Sequence, residues 1–265
     1  MLGYLLLSLR PKLKHLTKIR VAAVDYLNTK PLLYGLKKKA GDLEIDLVET
    51  YPAQLAQRLL EGRADLALVP VAVIPELQES HVITRYCIGC DGAVASVCIF
   101  SPVPMEKIKR VYLDYQSRTS VLLARILLKE YWHSDAEIIV ATGEAYLKEI
   151  KGTTAALVIG DRALAERAHA AFIYDLGEAW KTHTGLPFVF AAWVSNRVLS
   201  PDFVRRFEAA NGIGLLELEQ VIKDNPYQLF DLRDYYTQYI SYTLDDAKRK
   251  GLALFLEKCV HLQVS

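Results

Sequence analysis

Apolar residues along the chain fall into short continuous runs, separated by stretches in which they recur every three or four positions. "IRVAAV" (Ile19 to Val24) is such a run and predicts a buried strand, after which Pro31 opens an apolar helix. "LEIDLVET" (Leu43 to Thr50) alternates as a strand does. In "YPAQLAQRLLEG", Pro52 suits a first helical turn, Leu55, Ala56, Leu59 and Leu60 share one face, and Gly62 is a natural stop. "ADLALVPVAVIP" is apolar almost throughout, the pattern of a strand covered on both faces. This β-α-β-α-β succession predicts a parallel sheet with right-handed crossovers.

The pattern then restarts. "GAVASVCIFS" (Gly92 to Ser101) predicts a buried strand with Ser96 inside it. Beyond Pro102 and Pro104 come a strand from Lys109 to Tyr115 and a long apolar helix from Ser120 to Trp132. Strands follow from Ala136 to Ala141 and from Ala155 to Gly160, and Asp161 opens a helix. Thr184 to Asn196 is an aromatic-rich strand, and from Pro201 the chain is nearly all helical, with "NGIGLL" near Gly212 as a glycine-bearing turn. Two β-α blocks joined near Ser96 and again near Phe190 predict two α/β lobes connected twice. The expected boundaries are an extension over 1–18, a first lobe from 19–97 and 195–265, and a second lobe over 98–194. Such a body takes its ligand where strand C-termini and helix N-termini converge, and closes around it by hinge motion.

Charge narrows the function. Thirty-two basic residues against thirty-one acidic ones give a net charge of +1, so the broad basic footprint of a nucleic-acid binder is missing. Lys37 to Lys39 reads as a solvated helix end. Of the four cysteines, Cys87 and Cys90 form a lone C-x-x-C without the second pair that a zinc site needs, and all four are expected to be reduced packing residues. The apolar core of the first eighteen residues, Tyr4 to Leu9, is shorter than a secretory signal requires. A flexible extension, an upstream start and a docking arm all remain open for it. No later stretch has the apolar length of a membrane span, and a cytoplasmic protein is expected.

Candidate chemistry sits just after the strands: Asn28 and Thr29, the "SRTS" run of Ser117, Arg118, Thr119 and Ser120, Asp161, and Ser96 in the crossing strand. Helix N-termini with hydroxyl donors suit carboxylates or phosphates, and Arg118 could add a formal charge. Ser, Thr and Asp are equally ordinary N-caps, which accounts for "SRTS" and Asp161 taken alone, and Ser96 could be a small core residue. The first junction is different. With Pro31 as the first helical residue the cap is Lys30, whose side chain accepts no hydrogen bond, so Asn28 and Thr29 are left to cap from a distance or to face a ligand. There is no G-x-S-x-G, Walker A loop or G-x-G-x-x-G, and the six histidines lack metal spacing. His183 reads as an exposed loop residue.

Several segments together resemble one family in its order: "VDYLNTKPLLYGL", "YPAQLAQRLLEGRADLALVPVAV", "GAVASVCIFS", "VYLDYQSRTSVLLARILL", "ALVIGDRAL", "YDLGEAWKTHTGLPFVFAAW" and "YISYTLDDAKRKGLALF". The chain is similar, from Ile19 to Phe255, to the chorismate dehydratases of the futalosine route to menaquinone, often called MqnA. The resemblance implies a two-lobed type II periplasmic-binding-protein fold used as an enzyme. The implied reaction is loss of water from chorismate, a dicarboxylate, to give 3-(1-carboxyvinyloxy)benzoate. Aromatisation drives that step, so neither a redox cofactor nor a metal is expected. The resemblance places Asn28, Ser96 and Asp161 at the reacting end of chorismate. It gives Thr29, Ser117, Arg118, Thr119, Ser120, Gly160 and Phe190 to substrate binding. Two rival readings stay open: the sister enzyme that makes 1,4-dihydroxy-6-naphthoate, which calls for a roomier cleft with a histidine in it, and a non-catalytic receptor for small anions. Oligomeric state is left undetermined.

Overall fold

The computed structural model describes residues 18–50 and 52–264, so the expected extension over 1–18 lies outside the described residues except for Lys18. The chain lays down β1 (Ile19–Val24), α1 (Lys30–Leu43), β2 (Ile45–Thr50), α2 (Pro52–Leu60), β3 (Leu66–Pro70) and β4 (His81–Cys90). It then crosses into a second sheet through β5 (Val97–Ser101), β6 (Arg110–Leu113), α3 (Arg118–Glu130), β7 (Glu137–Val140), β8 (Thr154–Ile159), α4 (Asp161–Glu166), β9 (Phe172–Asp175) and α5 (Leu176–Thr184). β10 (Phe188–Ser195) returns to the first sheet, and α6 (Pro201–Leu216), α7 (Leu218–Asp224), α8 (Leu232–Asp234), β11 (Ser241–Thr243) and α9 (Asp246–Val264) complete it.

The strand orders are β11-β4-β10-β3-β1-β2 and β7-β6-β8-β5-β9. β1 pairs in parallel with β2 and β3, as the βαβ pattern requires, but β10 runs antiparallel between β3 and β4. The first sheet is therefore mixed, because its fourth strand arrives from the other lobe instead of through a crossover helix. Residues 188–194, assigned to the second lobe by pattern, lie in the first sheet; a two-sided apolar run carries no sign of which sheet it joins. The second sheet has the same build, with β6 parallel to β7 and β8, and β5 antiparallel to β8 and β9.

Other departures have local causes. α1 continues through Leu43 until Glu44, at φ 53°, ends it in the left-handed region, so β2 starts two residues later than the alternation suggested. "ADLALVPVAVIP" divides at Pro70, and Val71–Glu76 winds into a 3-10 helix against α3. Residues 92–96 are a loop, with Ala95 at φ 62°, so Ser96 precedes β5 and does not lie within it. "NGIGLL" is part of α6, not a turn. The second of its two glycines serves packing against α1: a Cβ on Gly214 would stand 2.0 Å from the Pro31 carbonyl oxygen, and one on Gly35 would stand 2.0 Å from that of Ala210. The backbones of α1 and α6 meet directly there. β4 carries Cys87 and Cys90, and all four cysteines are buried and free. Among the described residues no helix is long and apolar enough to cross a membrane.

Candidate active site

Between the two sheets lies a narrow cleft with about 80 Å³ of free interior room. Its polar lining is Tyr26, Asn28, Thr29, Ser96, Ser117 and Ser120; Leu68, Ile88, Val97, Ile159 and Phe190 supply most of its apolar wall. Residues from the C-terminal ends of β1, β3, β8 and the start of α3 thus converge, as parallel strands dictate.

At the β1–α1 junction a 3-10 turn, Leu27–Thr29, precedes the helix, and α1 begins at Lys30 with Thr29 as its cap. The Thr29 hydroxyl lies 2.7 Å from the carbonyl oxygens of both Val24 and Tyr26 and accepts the Tyr26 N–H at 3.3 Å. Thr29, expected to bind substrate, therefore spends its side chain on the turn. Asn28 does not. Its side chain faces the cleft beside the Tyr235 hydroxyl, while its backbone carbonyl accepts the Tyr242 O–H at 2.9 Å.

The "SRTS" run divides. Ser117 caps α3 by accepting the Ser120 N–H at 3.1 Å and donates to the Ser120 hydroxyl at 2.9 Å, and both line the cleft. Thr119 is buried and accepts the Ala72 N–H at 3.2 Å from the first lobe. Arg118 points outward and forks onto Glu76 at 2.6 and 2.7 Å, so the formal charge expected near the ligand is placed at the surface. Successive residues of a helical first turn project in different directions, which spacing alone could not rank.

Ser96 is fully buried, with its Oγ 2.7 Å from the Tyr235 hydroxyl and its carbonyl accepting the Gly160 N–H at 2.8 Å. Its loop is held by Asp175, whose carboxylate accepts the N–H groups of Val94 and Ala95 at 3.0 and 2.7 Å and also caps α5. Gly160 is the N-cap of α4 at φ 63°, and a Cβ there would lie 3.5 Å from the Tyr26 ring. Asp161 is thus the first helical residue, not the cap. Its carboxylate accepts the Leu27 N–H from the other lobe at 3.1 Å, and burial pushes its carboxyl up to about 6. It stands beside the cleft lining, next to Gly160, rather than in it.

Sequence reasoning missed the tyrosines. Tyr26 lies in the cleft and hydrogen-bonds the Gln116 side-chain oxygen at 2.8 Å, which also accepts from Arg162 at 3.0 Å. A π-helical turn, Tyr235–Tyr239, brings up Tyr235, fully buried, and Tyr236, whose buried hydroxyl has no hydrogen-bond partner among the described residues. Tyr227 donates to the Asp161 carbonyl at 3.0 Å. The available signal was density: Tyr235, Tyr236, Tyr239 and Tyr242 fall within one short stretch. His183 is half-buried in the last turn of α5, 3.4 Å from Glu130, instead of in an exposed loop, and among the described residues no histidine lines the cleft. The assembled site offers hydroxyl and amide donors for carboxylates, dry walls that strengthen them, and a nearby carboxyl poised close to neutral pH.

A family model described as menaquinone biosynthesis matches residues 19–261. The chain is 29% identical over 257 residues to a chorismate dehydratase of Thermus thermophilus, covering 88% of this chain and 92% of that protein. It is 24% identical over 250 residues to a chorismate dehydratase of Campylobacter jejuni, covering 91% and 98%. Among solved structures, a protein from Archaeoglobus fulgidus superposes with a TM-score of 0.74 at 14% identity, covering 94% of this chain and 98% of that one. A Candida albicans protein described as having the generic periplasmic binding protein fold gives 0.61 at 14% identity, covering 92% and 89%. The alkanesulfonate-binding protein of Xanthomonas axonopodis gives 0.63 at 15% identity, covering 94% and 93%. These likenesses establish a two-lobed α/β binding-protein fold.

Proposed function

The chain belongs to the menaquinone-biosynthesis family, and from that premise we propose that it is a hydro-lyase converting chorismate to 3-(1-carboxyvinyloxy)benzoate. The observation that carries the assignment to this cleft is the convergence of Asn28, Ser96, Ser117 and Ser120 on one small, otherwise apolar space. Chorismate brings two carboxylates, and these donors suit them. Ser117 and Ser120, at the N-terminus of α3, hold one carboxylate; Asn28 and Ser96 orient the enolpyruvyl carboxylate over the C3 hydrogen.

That carboxylate takes the C3 proton. The C3–H electron pair forms the new ring double bond as the C4–O bond breaks, and Asp161 protonates the departing hydroxide to give water. The proton on the substrate carboxyl then restores Asp161. An ordinary aspartate is ionised at neutral pH; burial, by raising Asp161 to about 6, makes the acid role reachable, and a bound dianion favours the protonated form further. Phe190 and the apolar wall exclude water, which strengthens each hydrogen bond to the substrate. We place the reaction in the futalosine route and in the cytoplasm. The sister activity that makes 1,4-dihydroxy-6-naphthoate is the second reading, disfavoured by the lack of a histidine among the cleft-lining residues.

The test is purified protein incubated with chorismate, followed by ultraviolet absorbance and product mass. Catalytic appearance of a species lighter by one water supports the dehydratase. Tight binding without turnover would make the chain a receptor, and full turnover by Asp161→Asn would remove Asp161 from the chemistry.

A further inference from the structure

The dehydratase reading leaves open what aims the Ser96 hydroxyl. A serine hydroxyl rotates freely, and the contact within its own loop, to the Val94 carbonyl at 3.4 Å, is too long to fix it. The Tyr235 hydroxyl sits 2.7 Å from Ser96 Oγ, a full-strength separation for two hydroxyls. Tyr235 has 0% exposure, so no solvent competes for that bond. The same hydroxyl bears on the Asn28 side chain, and Tyr242, seven residues on, holds the Asn28 carbonyl at 2.9 Å. The two residues placed at the reacting end come from different elements, β1–α1 and the loop before β5, and this tyrosine stands between them. The π-helical turn that begins at Tyr235 is a feature found disproportionately at functional sites.

We propose that Tyr235 is a positioning residue of the dehydration, holding Ser96 Oγ and directing the Ser96 proton into the cleft. The polarity follows from the donors available. The tyrosine O–H donates to Ser96 Oγ, and Ser96 then has only its own proton left to give, which a substrate carboxylate in the cleft accepts. Tyr235 touches no substrate; it acts through Ser96. Burial holds its phenol protonated, so the relay keeps its direction across the working pH range.

This inference rests on the dehydratase reading, and a double-mutant cycle separates the two. Tyr235→Phe keeps the buried ring and removes only the hydroxyl that holds Ser96. The expected result is a kcat lower by about tenfold, the size of one buried hydrogen bond, with KM changed by less than about threefold. In a Ser96→Ala background the same substitution is expected to cost nothing more. Unchanged kcat in the single variant, or equal losses in both backgrounds, would overturn the positioning role while leaving the dehydratase standing. Wild-type protein that leaves chorismate untouched would overturn both. If Tyr235→Phe fails to fold, 3-fluorotyrosine at 235 keeps the ring and hydroxyl but strengthens the donor. It must change kcat in the presence of Ser96 and leave it unchanged without Ser96.

Discussion

Asp161 carries the sharpest consequences of a single side chain. Its carboxyl is raised by burial from 3.8 to about 6, so the folded state binds more protons than the unfolded chain between those values. Stability from this group is therefore present below pH 3.8 and lost as pH rises through about 6. Asp161→Asn, which can still accept the Leu27 N–H, is expected to raise the melting temperature by a few degrees at pH 8 and to do nothing at pH 3.5. Activity runs through the same group: wild-type kcat/KM is expected to fall about tenfold per pH unit above about 6, and the residual rate of Asp161→Asn to show no such limb. A pH series with both proteins reads the two effects. Thr29 makes the contrasting case. Thr29→Val keeps its shape but strands the Tyr26 N–H and a buried carbonyl, a loss of about 1–3 kcal/mol seen in thermal unfolding. Asn28 was singled out on the expectation that Lys30 occupies the cap position; the helix starts one residue earlier and the cap is Thr29, yet Asn28 does line the cleft. Tyr235 was not legible, since nothing local in a sequence distinguishes a tyrosine that packs from one that aims a serine.

The elements were legible where periodicity is long or turn chemistry is explicit. β1, α2 and β8 fall where pattern puts them, α3 starts and ends two residues earlier than expected, and the cap at Ser117 follows from residue type. Pattern failed where an apolar run has two possible conformations, as at Val71–Glu76, and where glycine serves packing instead of turning, as in α6. The α1–α6 crossing makes this testable. Gly214→Ala pushes a methyl against the Pro31 carbonyl, so the helices must part, at a cost of about 1–3 kcal/mol. Because Pro31 follows the Asn28 junction closely, KM is expected to rise as well. Gly41→Ala, in the same α1 with nothing within 4 Å, is expected to stabilise by up to about 1 kcal/mol. Thermal melts of the two variants would show opposite shifts.

At the scale of the whole molecule, two lobes were readable from the repeated β-α blocks, but the bonds that tie them were not, because they join residues far apart in sequence. Leu27 to Asp161, Ala72 to Thr119, Tyr26 to Gln116 and Arg118 to Glu76 all span the cleft. The last is an exposed ion pair, worth about 0–1 kcal/mol. Arg118→Ala is therefore expected to leave the melting temperature nearly unchanged and to raise KM by up to about fivefold, by shifting the lobes towards the open state, with kcat held. β10 has a further consequence, for biosynthesis. It is the strand that joins β3 to β4, yet it leaves the ribosome only after the whole second sheet. The second lobe is one continuous stretch and can fold while the nascent chain grows. The first lobe meanwhile waits in two pieces with open strand edges, the state most exposed to aggregation and to chaperones. Pulse-labelled hydrogen exchange during refolding is expected to protect the amides of β5, β6 and β8 before those of β3, β4 and β10.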